Sequence, residues 1–225
     1  QCGVRVVGVA RAGGAGAGAG WILTGDDVGE FGPFEAVVIT APAPQAAELL
    51  AGVAAGACPH ELASAGKGAE LLLEAARGAA LAPCWALMVE FDGPLDVDFD
   101  GARFGPGVIG WMKRQGQPGS YPERWVIHAH GDWSSAHIED DAAAVEQAML
   151  AELGEYVARW GAELPAPVHT AAHRWRYAHA SEGPGANEEG QRIVADGSGL
   201  VLAGDWIIGP EGARIEAAWL SGVAA

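Results

Sequence analysis

Positive charge is scarce in this chain of 225 residues. Thirteen lysines and arginines stand against 29 aspartates and glutamates, which gives a formal net charge of −16 at pH 7. Such a surface repels nucleic acid phosphates and anionic membranes, because like charges raise the free energy of association. We therefore expect neither nucleic acid nor a membrane as a partner.

Long apolar runs and an amino-terminal targeting signal are also missing. No run approaches the roughly 18 uninterrupted apolar residues of a membrane-spanning helix. The opening QCGVRVVGVARAGG lacks the charged region, apolar region and cleavage site of a signal peptide. Because half of the residues are hydrophobic (50%), a sizeable core is available, and we expect a globular, cytoplasmic protein.

Cysteine is too rare and too widely spaced for a disulfide framework or a thiolate metal site. Cys2, Cys58 and Cys84 are odd in number and show no CxxC spacing. No GxSxG motif is present, and no cysteine has an evident histidine partner. The sequence therefore gives no support to hydrolysis by a nucleophilic triad.

Strand-like and helix-like segments alternate along the chain and predict an α/β (α+β) fold. VRVVGVA and WILTGDDVGEFGPFEAVVIT predict a β-meander over residues 1–42, with turns at Gly25–Asp27 and Gly32–Pro33. Later strands are expected in CWALMVEF, GVIGWMK, RWVIHAH, VHTAAHRWRYA and LVLA. Composition and apolar periodicity predict helices at 43–52, 69–80 and 140–160.

The glycine-rich run at residues 13–20, GGAGAGAG, partly matches a dinucleotide-binding fingerprint. Gly14, Gly16 and Ala19 have the required spacing and follow a predicted strand. The next segment, WILTGDD, is typical of strand and turn, whereas the fingerprint must open a helix whose amides hold a pyrophosphate. A hairpin loop is therefore the favoured interpretation.

Alternating aspartates at Asp96, Asp98 and Asp100, followed by Gly101, begin like a calcium-binding EF-hand loop. Calcium coordination in that loop needs a bidentate glutamate at the twelfth position, where this chain has Gly107. We expect a solvated acidic turn instead.

The segment HAHGDW gives an alternative hypothesis, a metallohydrolase. His128 and His130 share one face of a predicted strand, Asp132 follows, and His137 is near, as in the HxHxDH motif of metallo-β-lactamase-type hydrolases. Trp133 occupies the position of the final histidine. Ordinary histidines at a strand end are therefore favoured over a metal site.

The segment HRWRYAH alternates aromatic and basic side chains along a predicted strand. In one interpretation, Trp175 and Tyr177 line a pocket. In the other, both aromatic side chains lie in the core while Arg174 and Arg176 pair with acids. The residues alone favour the second.

Four segments, in this order, resemble the bacterial renalase-like branch of the FAD-dependent amine oxidase superfamily: VVITAPAPQAAELL, APCWALMVEFDGPL, HRWRYA and AGDWIIGPEGARIEAAWLSGVA. The similarity covers nearly the whole chain. The last segment is the most specific, because it resembles that superfamily's carboxy-terminal flavin-binding motif. The resemblance implies an FAD/NAD(P)-binding-type fold, incomplete, with a mixed or antiparallel-sheet substrate domain packed with helices.

The resemblance also implies cofactor contacts at the carboxy terminus. Asp205 would accept a hydrogen bond from a ribityl hydroxyl or lie beside the pyrophosphate, and Gly204 would leave room for close approach. Amides around Arg214, Ile215 and Glu216 would face the flavin pyrimidine ring near N1 and O2. Negative charge develops there when a hydride reaches N5, and helix N–H groups stabilise it.

The family pattern divides the chain into three segments. Residues 1–42 would belong to the FAD-binding domain, with Val6 against the adenine. Residues 43–194 would form the substrate domain. Residues 195–225 would return to the FAD-binding domain with a strand and a helix.

The activity implied is that of an FAD-dependent oxidoreductase of the amine oxidase and renalase-like type. A hydride would pass to the flavin from a C–H bond next to nitrogen, in an amine or a dihydropyridine-like small molecule, and oxygen would reoxidise the flavin. No catalytic acid or base stands out, which leaves Trp175 and Tyr177 as pocket candidates. A non-catalytic binding domain that has lost its cofactor site is the alternative from another class.

The chain departs from the family pattern at its beginning. Its relatives start with a βαβ unit bearing GxGxxG, and this chain shows no such unit. We therefore expect the carboxy-terminal portion of a longer flavoprotein, with exposed sheet edges that favour self-association. Ala217 stands where relatives often have glycine.

Overall fold

The computed structural model describes residues 2–12, 20–55, 63–119, 121–182, 199–207 and 215–225. The chain divides into two compact units, which we call unit 1 (Gln1–Leu81 with Ala180–Ala225) and unit 2 (Ala82–His179). Each unit has a hydrophobic core of its own.

In its described residues, unit 1 contains two small sheets and three α-helices. The first sheet is an antiparallel meander of β1 (Val6–Arg11), β2 (Trp21–Gly25) and β3 (Gly29–Phe34). In the second sheet, β4 (Val37–Ile39) and β10 (Leu200–Leu202) run parallel. The helices are α1 (Ala43–Ala55), α2 (Ala63–Gly78) and α5 (Ile215–Ala224), and a 3₁₀ helix covers Asp205–Ile207.

The core of unit 1 joins both sheets to α1 and α2. Trp21 comes from the meander, Ile39 from the parallel pair, and Leu50 and Leu72 from the two helices, and all four side chains are buried. The turn between β2 and β3 places Asp27 at a φ of 61° and Gly29 at 84°, a backbone region open to aspartate and glycine.

Unit 2 is one five-stranded sheet with two helices. The strand order is β6-β7-β8-β5-β9, and the strands are β5 (Ala80–Phe91), β6 (Gly101–Arg103), β7 (Ile109–Gln115), β8 (Glu123–Ala129) and β9 (Pro167–Glu182). The helices are α3 (Gly131–Ala136) and α4 (Ala142–Arg159). The boundary between the units therefore falls inside β5 and β9.

One face of the five-stranded sheet packs against α4. Side chains four positions apart along α4 fill the contact: Val145, Met149, Leu153 and Val157. Because side chains alternate across a strand, Leu87 on β5 and Ile127 on β8 face this core. Their strand neighbours point to the opposite face, which we call the open face.

The predicted mixed fold is confirmed, and most of the predicted elements are present. The predicted meander is present for β1 to β3, whereas β4 pairs with β10 in the other sheet. Gly32–Pro33 lies within β3 rather than at a turn. The helix predicted at 140–160 is α4. Its first turn is capped by Asp141, whose carboxylate accepts the Ala143 N–H at 2.8 Å.

The compact units differ from the predicted segments at residues 43–81. The sequence assigned α1 and α2 to the central domain, whereas both helices pack in the core of unit 1. Local periodicity shows which face of a helix is apolar, and it does not show which core receives that face. Among the described helices, none is long and apolar enough to cross a membrane.

Candidate functional site

The carboxy-terminal segment that resembles the flavin-binding motif lies in unit 1. All three residues of β10 are buried, and the chain leaves the strand through Ala203 and Gly204 into the short 3₁₀ helix. Trp206 anchors this turn, because its indole is buried and its Nε1 donates to the carbonyl oxygen of Ala41 at 3.2 Å. The turn therefore has a fixed position at the end of the parallel pair.

Gly204 occupies a place where a side chain has no room. A Cβ there would lie 2.7 Å from the Nε1 atom of Trp206, closer than real Cβ contacts allow. The Gly204 N–H donates to the Oγ atom of Ser221 at 3.0 Å, and Ser221 is buried. This bond ties α5 to the end of β10, so the terminal helix and the Gly-Asp turn form one assembly.

Two carboxylates flank this assembly. Asp205 is partly buried, and within the described ranges no hydrogen-bond donor engages its side chain. Glu216 is exposed in the first turn of α5, beside the exposed Ile215. An acceptor without a donor, a glycine at a tight approach and the N–H groups that begin a helix suit a ligand with hydroxyls and developing negative charge.

The other predicted cofactor contacts are not part of this assembly or lie outside the described residues. Val6 begins β1, opposite Gly25 of β2, and packs on the core of unit 1 in a different sheet from β10, the strand that precedes Gly204. Arg214 lies outside the described residues, as do Gly14, Gly16 and Ala19 of the glycine-rich run. Ala217 is buried, so its methyl group is packed within unit 1.

The aromatic residues of β9 are exposed rather than in the core. Trp175 is 55% exposed and Tyr177 40%, so the interpretation favoured from sequence is wrong for these side chains. The edge of the His173 ring meets Trp175 with centroids 4.5 Å apart. Because residues two apart share one face of a strand, His173, Trp175, Tyr177 and His179 all lie on the open face.

The same interpretation is right for the arginines of β9. Arg174 donates to Glu139 at 3.1 Å and to the carbonyl oxygen of Ile138, and Arg176 binds both carboxylate oxygens of Glu139 at 2.7 and 3.0 Å. The hydrogen bond from Arg176 is the main reason that the pKa of Glu139 is lowered. The arginines are therefore occupied, and the aromatic side chains are accessible.

A cavity of about 370 Å³ opens in unit 2 beside β5, β7 and β8. Its floor includes Trp111 and His128, whose rings lie 4.9 Å apart at an angle of 48°. Burial lowers the pKa of His128, and repulsion from His179 lowers it further. Burial also raises the pKa of the Cys84 thiol to about 11, so this thiol stays protonated at neutral pH.

His130 of HAHGDW and the nearby His137 are engaged in structural contacts. His130 Nε2 donates to the carbonyl oxygen of Gly105 at 2.8 Å, and His137 Nδ1 lies 2.7 Å from an Asp140 carboxylate oxygen. Asp132 is exposed in the first turn of α3. In the described part of the chain, no group of three or more histidine, cysteine, aspartate or glutamate side chains is placed to hold a metal ion.

The acidic run before β6 has a structural role. Asp100 accepts from Arg114 Nε at 3.1 Å, and Gly101 begins β6. The Arg114 guanidinium also forms an ion pair with the buried carboxylate of Glu123. The turn that was expected to be solvated therefore also helps to hold β7 in place, through the ion pair between Asp100 and Arg114.

Sequence reasoning missed two residues of interest. Ser221 was visible only as part of the family motif, and its bond to Gly204 needs the folded chain. Arg103 and its cavity partners come from separate strands, and no spacing along the sequence brings them together.

The sequence profile of the family described as flavin containing amine oxidoreductase matches residues 1–225. Putrescine oxidase bound to putrescine is similar in fold, with a TM-score of 0.64 and 13% identity over 97% of this chain and 46% of that one. Cyclohexylamine oxidase from Brevibacterium oxydans IH-35A is similar with a TM-score of 0.63 and 13% identity, over 98% of this chain and 46% of that one.

An oxidoreductase from Methanosarcina mazei is also similar, with a TM-score of 0.61 and 13% identity over 98% of this chain and 48% of that one. The chain thus spans less than half the length of these solved structures. At this low identity, the TM-scores show a shared fold and nothing further. The family profile names a flavin, the cofactor class predicted from sequence. Because that profile matches from the first residue to the last, the chain belongs to the flavin containing amine oxidoreductase family.

Proposed function

We propose that this chain forms part of an FAD-dependent amine oxidase of the renalase-like branch, with unit 1 contributing to the cofactor site and unit 2 serving as the substrate domain. The observation that supports this most is the assembly of Gly204, Asp205 and α5, held by the Ser221 hydrogen bond. It has the free acceptor, the tight approach and the helix start that a flavin dinucleotide needs.

Each part of the assembly has a defined task in this proposal. Asp205 accepts a hydrogen bond from a cofactor hydroxyl, because no described donor uses its carboxylate. Gly204 keeps the turn small, since any side chain there would meet Trp206. The start of α5, around Arg214, Ile215 and Glu216, presents N–H groups toward the pyrimidine ring, and Val6 contacts the adenine.

When bound, the flavin would supply the redox chemistry, which is acceptance of a hydride from a C–H bond next to nitrogen and reoxidation by oxygen to give hydrogen peroxide. The residues of the chain orient the substrate, exclude water and stabilise the negative charge that develops. The positive end of the α5 dipole lies at Ile215, where it stabilises a developing anion. Glu216 in the same turn is exposed and is therefore well hydrated.

The open face of unit 2 is the proposed substrate surface. Trp175 and Tyr177 present flat rings on it, which suit an amine or a dihydropyridine-like molecule through stacking. Their role is to bind and orient the substrate and to keep water from it. The paired arginines of β9 hold the strand and leave the rings free.

Peroxide release tests this proposal directly. The FAD-supplemented chain is incubated with a panel of primary amines, cyclic amines and dihydropyridines, and peroxide is measured with a coupled peroxidase. We expect turnover of at least one class, and we expect Trp175→Ala to raise KM more than it lowers kcat, because stacking acts on binding. The exposed Trp160→Ala on the other side of the sheet is the matched control. Absence of peroxide across the panel from an FAD-loaded chain would contradict the proposal.

A further inference from the structure

The cavity beside β5, β7 and β8 has an unusual set of lining side chains for this protein. We call it the Arg103 pocket. It lies wholly within unit 2, and its chemically distinctive members are Cys84, Arg103, Trp111, His128, His130 and His179. At about 370 Å³ it is within the range of small-molecule sites.

The charge of the Arg103 pocket is opposite to that of the chain. The chain has a formal net charge of −16, yet no aspartate or glutamate is among the described residues that line the pocket. Its ionisable members are one arginine, three histidines and a thiol held protonated by burial. The pocket is therefore neutral to positive on a strongly acidic protein.

Arg103 differs from every other arginine of unit 2. The other five each lie within 4 Å of a carboxylate: Arg114, Arg124, Arg159, Arg174 and Arg176. No carboxylate in the described ranges pairs with Arg103, although acidic side chains are plentiful in unit 2. Its guanidinium has five N–H donors in a planar fork, the geometry that binds a carboxylate or a phosphate with two parallel hydrogen bonds.

The walls of the pocket suit a flat ring. Trp111 and His128 lie side by side on neighbouring strands with centroids 4.9 Å apart. Pro83 and Ala129 add apolar surface. His130 fixes the rim, because its Nε2 donates to the carbonyl oxygen of Gly105 in the loop after Arg103. An aromatic molecule can stack here while an attached anion meets the guanidinium.

The geometry points to the Arg103 pocket as a binding site for an aromatic oxyanion, a planar ring bearing a carboxylate or a phosphate, with Arg103 as the anion-binding residue and Trp111 as the stacking surface. This inference stands on the geometry of unit 2 and does not depend on flavin binding by unit 1. A site for a molecule with two positive charges would present carboxylates, whereas the Arg103 pocket presents an arginine. The inference concerns non-covalent binding alone, with no transfer of electrons or chemical groups.

Isothermal titration calorimetry of the full chain, with no flavin added, tests the inference. The probes are benzoate, phenyl phosphate and benzylamine, which share a ring and differ in charge. We expect at least one oxyanion to bind with a Kd of about 1 mM or below, and benzylamine to bind at least about tenfold more weakly. The ratio of benzoate to phenyl phosphate affinity identifies which oxyanion the pocket prefers.

Substitution locates the binding. Arg103→Gln should weaken oxyanion binding about tenfold or more, because a charge-assisted bidentate contact is lost. Arg103→Lys should have an intermediate effect, since it keeps the charge and loses the fork. The matched control is Arg159→Gln, which removes an exposed arginine on α4 that pairs with Glu155, and it should leave the affinity unchanged.

Three outcomes would overturn the inference: no binding of either oxyanion with a Kd of about 1 mM or below, benzylamine binding as tightly as benzoate and weakened equally by Arg103→Gln, or unchanged oxyanion affinity in Arg103→Gln. Because Arg103 is exposed, its substitution should leave the fold intact, which a thermal melt of each variant checks. Failure of the chain to bind FAD would contradict the proposed function and leave this result unaffected.

Discussion

Single residues explain why the carboxy-terminal motif has its composition. Gly204 is required by the indole of Trp206, and Ser221 is required by the Gly204 N–H. The sequence could identify Gly204, Asp205 and Glu216 through the resemblance, because they are neighbours in one motif. It could not show that the Ser221 hydroxyl reaches back seventeen positions to the turn, since that contact needs α5 in place.

Loss of the Ser221 hydroxyl should loosen this assembly. We expect Ser221→Ala to lower the free energy of unfolding by about 1–3 kcal/mol, because a partly buried N–H loses its acceptor. Urea unfolding followed by tryptophan fluorescence measures the change. Ser135→Ala removes an exposed hydroxyl that bonds only within its own helix and should have little effect. Equal stability of the wild type and Ser221→Ala would contradict the assigned contact.

Thiol reactivity reports the burial of Cys84 directly. With its pKa near 11, only about one Cys84 side chain in 1,000 is a thiolate at pH 8. Cys2, in contrast, is exposed. In a Cys58→Ser background, we expect a disulfide reagent to modify one thiol rapidly in the native chain and a second only after unfolding. Rapid modification of both thiols in the native chain would show that Cys84 is accessible.

The exposure of Trp175 and Tyr177 marks the limit of residue-level prediction. Alternation along β9 correctly separates the aromatic side chains from Arg174 and Arg176. Which of the two faces is covered depends on α4, which packs on only one side of the sheet. A strand pattern alone gives two faces and does not say which one meets a core.

Among the elements, long periodic segments and the apolar strand β10 were predictable, and two short elements of unit 2 were not. The helix predicted at 140–160 is α4, because its apolar stripe repeats every four residues and Asp141 caps it. The three-residue β6 and six-residue α3 were missed, since neither is long enough to show a period. β4 joined β10 instead of the meander because parallel pairing joins strands far apart in sequence.

A buried ion pair fastens β7 to β8. Arg114 Nη1 lies 2.6 Å from Glu123 Oε2, and the two side chains are 5% and 2% exposed. Glu123 Oε1 also accepts from the indole of Trp125 at 2.7 Å and from the N–H of Leu95 at 3.2 Å. The Arg114 guanidinium lies over the Trp125 ring, 4.6 Å from its centroid. Both charges are thus compensated inside the sheet.

Removing one member of this pair should be costly. We expect Glu123→Ala to lower the free energy of unfolding by about 3–5 kcal/mol, because the buried Arg114 keeps only the exposed Asp100 as an acidic partner. The Trp125 indole and the Leu95 N–H also lose their acceptor. The matched control is Glu155→Ala, which breaks the exposed pair with Arg159 and should change stability by less than about 1 kcal/mol. Chemical denaturation of both variants makes the comparison. Similar losses in the two variants would contradict the assigned role of the buried pair.

For the whole molecule, the compact units have different boundaries from the segments predicted from sequence. The sequence predicts a domain formed by residues 1–42 and 195–225, and the compact unit 1 consists of Gln1–Leu81 and Ala180–Ala225. Composition could not assign α1 and α2 to that unit, because both helices have apolar faces that suit either core. The assignment of unit 1 to FAD and of unit 2 to substrate remains part of the proposed function.

Exposed apolar side chains on α5 should cause self-association. Ile215, Trp219, Leu220 and Val223 are all more than half exposed along this one helix. We expect the purified chain to elute larger than its 23.0 kDa monomer in size exclusion with light scattering, and Trp219→Glu to shift it toward the monomer. Tyr121→Glu, at an isolated exposed aromatic, is the control and should leave the elution unchanged. A sharp monomer peak from the unmodified chain would contradict this expectation.

The central claim is that this chain contains part of an FAD site built on Asp205 and α5. The most direct test is the visible absorption spectrum of the purified chain after incubation with excess FAD and removal of unbound cofactor. We predict flavin bands retained with the wild type and with the surface control Asp132→Ala, and an affinity at least about tenfold lower in Asp205→Ala. A colourless wild type, or an Asp205→Ala chain that retains as much FAD, would contradict the claim.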